Sequence, residues 1–252
     1  MTASNRLERE KNFHDNRYGG DDSDRKSVEK YYMANIHMEE RYIDIVSKLC
    51  IGKKLLEYGC GSGNNSNKWL KLGAKVTGID ISEEGIKKAK KSNCNSKYNA
   101  DYYVMDAENT EFNKNSFDIV VGSGILHHLD LKKCYQELSR ICKDNGHIVF
   151  QEPLGHNPFI NFFRRLTPIM RTEDEHPMKS KNIKLLKNYF NNVEIEYFTL
   201  FTLLSVPFRK MYFFKFICNL LRSIDKVVLY VPFFGKYAWF SIIYASDPKN
   251  DY

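Results

Sequence analysis

The chain of 252 residues carries 38 basic against 31 acidic side chains, with 42% hydrophobic and 14% aromatic residues. This excludes a disordered or fibrous protein and supplies one elaborated domain with enough apolar material for a core. A formal charge of +7 and a pI near 8.9 admit a nucleic acid or an anionic membrane as partner without selecting either.

Six cysteines without CxxC or Cys/His spacing exclude a disulfide scaffold and give no zinc signature, so they read as reduced thiols of a cytoplasmic protein. The charged N-terminus has no apolar h-region, and stretches such as 197–208 fall short of the roughly 18 to 20 residues that a spanning helix needs. Neither a secretory signal nor a transmembrane segment is expected.

Residues 1 to about 25 are polar and of mixed charge, and read as an arm that orders only against something else. Over 27–49, Val28, Tyr31, Tyr32, Ile36, Tyr42, Ile43 and Val46 recur at helical spacing. From Lys53 the pattern becomes KKLLEY, AKVTGID, ADYYVMD, FDIVVG and GHIVFQE, five apolar runs that predict buried strands. Helices are predicted between them near 66–72, 83–92 and 130–142. This alternation implies a parallel sheet covered on both faces.

After Glu152 the rhythm breaks: residues 153–179 hold four of the seven prolines and read as an insertion over the ligand edge of the sheet. A helix (180–190), a strand (192–203), an aromatic-rich stretch (205–236) and a last strand, YAWFSIIYA, follow. The chain divides into an arm and cap helix (1–50), a ligand-binding core (51–153), a lid insertion (154–182) and a segment that completes the sheet (183–252).

The sharpest motif is LLEYGCGSGNNS, in which a strand ending at Tyr58 is followed by Gly59, Gly61 and Gly63 and then a helix. Glycines at this spacing let the backbone turn tightly and approach a ligand. Asp80 and Asp106 end the next two strands, where a carboxylate can accept from ribose hydroxyls. A nicotinamide site would place a third glycine at position 64, which is Asn64, and Glu57 before the loop would repel a pyrophosphate and attract an ammonium group.

On Glu57, Gly59, Gly61, Gly63, Asp80 and Asp106 the sequence resembles the Rossmann-like S-adenosylmethionine-dependent methyltransferases of the small-molecule type. The resemblance implies an α/β fold with a seven-stranded, mostly parallel sheet whose last strand is antiparallel. It also implies S-adenosylmethionine as cofactor: Asp80, with Ile81 beside it, holds the ribose, Asp106 and Ala107 flank the adenine, and Gly122, Ser123 and Leu126 of FDIVVGSGILHHL lie along the ligand. Tyr18, Tyr31 and Tyr32 match the aromatics that such enzymes place on an N-terminal cap.

Methyl transfer from a sulfonium is an in-line displacement, so the protein aligns the reactants and removes a proton where the acceptor has one. His127 and His128 follow the fourth strand at the ligand edge, and histidine is the residue type whose ordinary pKa suits it to proton transfer near pH 7. A histidine after ILH-type text assists deprotonation in related enzymes, which favours His127; the alternative is that one lines the pocket and the other caps the helix from Asp130. Glu152 ends strand five at the same edge, and His156 and Arg171 in the insertion are further candidates for substrate contact.

The expected acceptor is a small, partly apolar metabolite, with Phe159, Phe162, Phe163, Phe198, Phe201, Phe208, Tyr212, Phe213 and Phe214 as its lining. Ten lysines between 51 and 100 raise methylation of a nucleic acid or protein as an alternative. Many of them, however, form the polar side of one surface helix, and the (D/N)PP(Y/F) text of base-amino methyltransferases is absent. A non-catalytic binding protein is the other alternative. No residues show metal-ligand spacing, so no metal is expected. Residues 205–223 carry Met211, Phe214, Ile217, Cys218 and Leu221 at helical spacing among basic groups, and read as a lid helix packed on the pocket in preference to a membrane contact.

Overall fold

The computed structural model describes residues 3–20, 33–94, 99–167, 172 and 174–249. In chain order the elements are α1 (Ala3–Gly19), α2 (Ile36–Cys50), β1 (Lys54–Tyr58), α3 (Asn64–Lys71), β2 (Lys75–Asp80), α4 (Glu83–Asn93), β3 (Asp101–Val104) and β4 (Phe117–Ser123). They continue with α5 (Leu131–Ile141), β5 (Cys142–Pro153), α6 (Pro158–Leu166), α7 (Ser180–Leu186), β6 (Phe190–Phe198), α8 (Phe214–Val228), α9 (Pro232–Gly235) and β7 (Phe240–Pro248). Short 3-10 helices cover Met33–Asn35, Leu126–His128 and Thr202–Phe208.

The seven strands form one sheet in the order β3-β2-β1-β4-β5-β7-β6. Strands β1 to β5 pair in parallel, while β7 inserts antiparallel between β5 and β6. The predicted sheet and its antiparallel last strand are therefore present. β1 and β4 are buried on both faces because helices cover both. Leu56, Val120 and Ile148 pack towards α5 and α7, and Leu55, Ile119 and Val149 pack towards α2 and α3. The order reverses between β1 and β4, where parallel open sheets form a crevice beyond the strand ends.

Local chemistry fixes the helix starts. Ser82 Oγ accepts from Gly85 N at α4 and Asp130 Oδ1 accepts from Lys132 N at α5. Asp130 caps α5 itself, so neither neighbouring histidine has that task. The strand expected over 192–203 ends at Phe198, because Thr199 adopts φ 64° and the chain turns into a 3-10 helix. The helix expected over 27–49 begins at Ile36, and the part over 27–32, with Tyr31 and Tyr32, lies outside the described residues.

The N-terminal arm orders against the rest of the chain as a helix docked across the carboxyl ends of the strands, and so forms part of the expected N-terminal cap. Its interactions are mainly polar and reach far along the chain. Arg6 donates to the His128 carbonyl (2.7 Å) and pairs with Glu108, and Arg9 makes two 2.9 Å bonds to Asp174. Asp15 accepts from Ser82 Oγ at 2.6 Å and from Glu84 N at 3.2 Å. Glu10 is buried: its Oε1 accepts from Thr172 Oγ1 at 2.5 Å, and its Oε2 lies 3.1 Å from His128 Nδ1 and 3.6 Å from His14 Nε2.

Burial would raise the Glu10 pKa, but the facing His128 and His14 outweigh it and hold the carboxyl well below its usual range. For His128 burial acts downward, and Glu10 overcomes it to raise the imidazole pKa. The raised His128 contributes stability that is complete below the ordinary histidine value of 6.5 and is lost as pH rises through its folded pKa. The depressed Glu10 contributes above 4.5 and loses its contribution as pH falls. Amide exchange of residues 3–19, corrected for intrinsic rates, should therefore be slowest between about pH 5 and 6.5 and accelerate towards pH 9. Glu10→Gln should flatten that profile; a flat profile in the native chain would contradict the pairing.

Candidate active site

A cavity of about 950 Å³ opens at the carboxyl edge of β1, β2 and β4, beneath α1. Its volume lies at the upper end of the range for small-molecule sites, so a cofactor and a small acceptor both fit. Of the predicted residues, Tyr18, Glu57, Gly59, Asp80, Ile81, Asp106, Ala107, Ser123, His127 and His128 line it. Gly61, Gly63, Gly122, Glu152 and His156 do not line it, Leu126 is buried in the core, and Arg171 lies outside the described residues.

The glycine loop shapes this edge through its backbone. Gly61 has φ 51°, and a Cβ there would overlap the Tyr18 hydroxyl of α1. The close approach that demands glycine is thus to the covering helix. Gly63, at φ 75°, is the residue before α3 and leaves room for Tyr102 and Ala89. Gly122 acts in the core: a Cβ would overlap the Phe150 ring, so this glycine admits Phe150 and does not run along the cavity.

The carboxylates of this edge suit a cationic ligand with a diol. Asp80 Oδ2 accepts from Gly61 N (2.8 Å) and Oδ1 from Ser82 N (2.9 Å). One bond per oxygen leaves each able to accept another. Asp106 Oδ1 accepts from Glu108 N at 2.8 Å and still faces the cavity. Glu57 is buried and accepts from Ser66 Oγ; burial pushes its pKa up to about 8 against the opposing pull of Ser66 and Lys68. Seven acids and three arginines line the cavity, which disfavours a pyrophosphate and favours a positive charge. The residues present therefore fit S-adenosylmethionine.

The two histidines have separate environments. His127 Nδ1 lies 2.6 Å from Glu152 Oε2, while Glu152 Oε1 accepts from Ile125 N and Leu126 N, both at 2.8 Å. Glu152 is fully buried, so it orients His127 from behind and is not the substrate contact expected of it. With Nδ1–H given to Glu152, Nε2 of His127 is the acceptor nitrogen of the ring. His128 is committed to Glu10 and holds α1 in place. His156 Nε2 accepts from Ser180 N at 3.1 Å, at the start of α7, which makes it a local helix contact and removes it from the substrate list.

Sequence reasoning missed Arg6, Glu10 and His14 in the cavity wall, where Glu175 and Arg164 of the insertion also lie. The spacing of Glu10, His14 and Tyr18, each four residues apart, was the available signal for one helical face. Two of the resulting groups, Glu10 with His14 and His128, and His127 with His128 and Glu175, bring one ligand atom per residue within 4.8 Å of one another. Neither group has a recognisable spacing in sequence. Of the aromatics expected to line an acceptor pocket only Phe163 does so; Phe13, Trp239 and Phe240 take the other positions.

Residues 56–150 match a family model described as a methyltransferase domain. A ubiquinone biosynthesis O-methyltransferase from Pelagibacter ubique is 37% identical over 94 residues, 37% of this chain and 39% of that protein. A malonyl-[acyl-carrier protein] O-methyltransferase from Buchnera aphidicola is 33% identical over 134 residues, 52% of each. The chain thus spans about half the length, or less, of these curated relatives. Among solved structures, phosphoethanolamine N-methyltransferase 2 from Haemonchus contortus in complex with S-adenosyl-L-methionine superposes with a TM-score of 0.61. It is 20% identical, covering 83% of this chain and 53% of that one, and so shares the fold. Residues 56–150 thus form a methyltransferase domain, on a fold shared with a solved S-adenosylmethionine-dependent methyltransferase.

Proposed function

We propose that the protein transfers a methyl group from S-adenosylmethionine to an O–H or N–H group of a small, partly apolar acceptor, with His127 as general base. The observation that carries this reading is one cavity that joins the Glu57, Asp80 and Asp106 edge to the His127–Glu152 pair. Bound S-adenosylmethionine supplies an electrophilic methyl on a sulfonium. Glu57 would take its ammonium group, Asp80 its ribose hydroxyls, and Asp106 and Ala107 its adenine.

The acceptor loses its proton to Nε2 of His127, and Glu152 stabilises the imidazolium that forms, as a buried carboxylate does for a base it orients. Leu7 and Phe13 of α1, together with Ile160, Phe163, Trp239 and Phe240, give the cavity its apolar part. Because α1 roofs the site, the reading favours a small molecule over a nucleic acid. The relatives named as O-methyltransferases favour an oxygen nucleophile. Methyl transfer from a sulfonium does not itself need a Lewis acid, so the reading assigns no metal to the Glu10, His14 and His128 group, in which Glu10 and His128 face each other at 3.1 Å.

At pH 7 a Glu57 with a pKa of about 8 is mostly protonated, and a cationic ligand should drive its proton off. Calorimetry with S-adenosylmethionine should then show release of most of a proton, read from different binding enthalpies in phosphate and Tris. Glu57→Gln should lose this difference and bind at least about tenfold more weakly. Equal enthalpies in both buffers for the native chain would refute the role of Glu57.

For His127→Asn, transfer from labelled S-adenosylmethionine into a metabolite extract should fall by about 10² or more, the usual contribution of a positioned base. Binding of S-adenosylmethionine should change less than twofold. Undiminished transfer would remove His127 from the chemistry.

A further inference from the structure

The segment from Phe201 to Lys236 stands apart from the cavity, since none of its described residues lines it. It was expected to wall the acceptor pocket, and its exposure explains why it does not. α8 is apolar on two opposite faces. Cys218, Asp225 and Leu229 turn inward and are buried, with Ile217 and Leu221 beside them. The outer face presents Phe216, Leu220, Ile224 and Val227, at intervals of four, four and three, with Phe216 71% and Val227 73% exposed. The inner face accounts for the core, and among the described residues nothing covers the outer one.

The apolar surface continues beyond α8. Leu204, Met211 and Tyr212 extend it at one end and Tyr230, Phe233 and Phe234 at the other, with Tyr212 98% and Tyr230 90% exposed. Asn157, which caps α6, donates to the Tyr237 carbonyl at 2.7 Å just after α9. α6 adds Phe159 and Phe162 to the exposed surface while its Ile160 and Phe163 line the cavity. Soluble monomers rarely leave a contiguous apolar patch beyond a few hundred Å² uncovered without an interaction to explain it.

Charge selects the partner. Residues 201–236 hold six basic side chains and one acid, Asp225. Asp225 is buried, accepting from the amides of Leu200, Phe201 and Thr202 at 2.7 to 3.1 Å and from Thr202 Oγ1 at 2.6 Å. The exposed charge of this segment is therefore wholly positive, with Lys210, Lys215 and Lys226 in the open. A second copy placed face to face would set these lysines against like charges. A nucleic acid would meet the lysines but leave Phe216, Leu220 and Val227 without apolar partners. α8, of 15 residues and about 22 Å, is too short to cross a bilayer and long enough to lie in its interface.

We propose that the outer face of α8, with Met211 and Tyr212 before it and Tyr230 and Phe233 after it, docks the protein on an anionic lipid bilayer. The apolar stripe enters the headgroup and acyl boundary, and Lys210, Lys215 and Lys226 meet lipid phosphates. Docking rests on surface residues outside the cavity, so it stands or falls separately from the methyl-transfer reading.

Co-sedimentation of the full chain with phosphatidylcholine vesicles, with and without phosphatidylglycerol, tests it. Binding is expected only with phosphatidylglycerol present, and it should weaken as salt is raised. Lys210→Glu/Lys215→Glu/Lys226→Glu and Phe216→Ser/Val227→Ser should each lower the apparent affinity at least about tenfold. All five side chains are exposed, so unchanged circular dichroism and melting should accompany both losses. The proposal is overturned by a native chain that does not pellet with phosphatidylglycerol vesicles, or by variants that pellet like the native chain. It is equally overturned by sedimentation velocity showing a dimer that Phe216→Ser/Val227→Ser dissociates, which would make the face an interface between copies.

Discussion

Glu152 sits at the end of β5 with no exposure to solvent, and a carboxylate there is tolerated only with a full set of donors. The donors come from one place: the amides of Ile125 and Leu126 on one oxygen, and the His127 ring on the other. That requirement bends the chain after β4 into its 3-10 turn, fixes the His127 ring, and leaves His128 pointing at α1. The turn in turn gives Arg6 its acceptor, the His128 carbonyl. The place of the His127 ring, its orientation and the roof of the cavity all follow from satisfying one buried charge.

The positive charge of the chain is unevenly placed, and its distribution matters more than its total. The cavity wall is rich in acids, with Glu57, Asp80 and Asp106 along one edge. The charged groups that residues 201–236 expose are all basic. A cationic small molecule and an anionic surface are thus drawn to different parts of the same fold. α6 touches both, with Ile160 and Phe163 in the cavity wall and Phe159 and Phe162 outside.

What the sequence disclosed was what neighbouring residues determine. The glycine loop, Asp80 at the end of β2 and the five apolar runs lie in continuous stretches of the chain; their spacing carried the parallel sheet covered by helices, and the family resemblance added its seven strands with an antiparallel last one, while the order of the strands was legible in neither. The contacts that order the arm were not legible because its partners are remote: Arg6 and the His128 carbonyl are 122 residues apart, and Arg9 and Asp174 are 165 apart. Glu152 was placed at the right edge, but its burial, and hence its service to His127, needed the packing of β5 between β4 and β7. The stretch over 205–236 misled for a different reason. Periodicity shows that apolar residues surround α8, yet it cannot say which face the fold covers, and the outer one proves to be Phe216, Leu220, Ile224 and Val227.

The proposed function requires one cavity to seat S-adenosylmethionine on the Glu57, Asp80 and Asp106 edge and to present it to His127. A crystal structure of the protein grown with S-adenosylhomocysteine tests this most directly. The account predicts ligand density with the amino-acid end at Glu57, the ribose at Asp80, the adenine beside Asp106 and Ala107, and His127 facing the thioether. Density at another site, or a cavity that stays empty at saturating ligand, would contradict it.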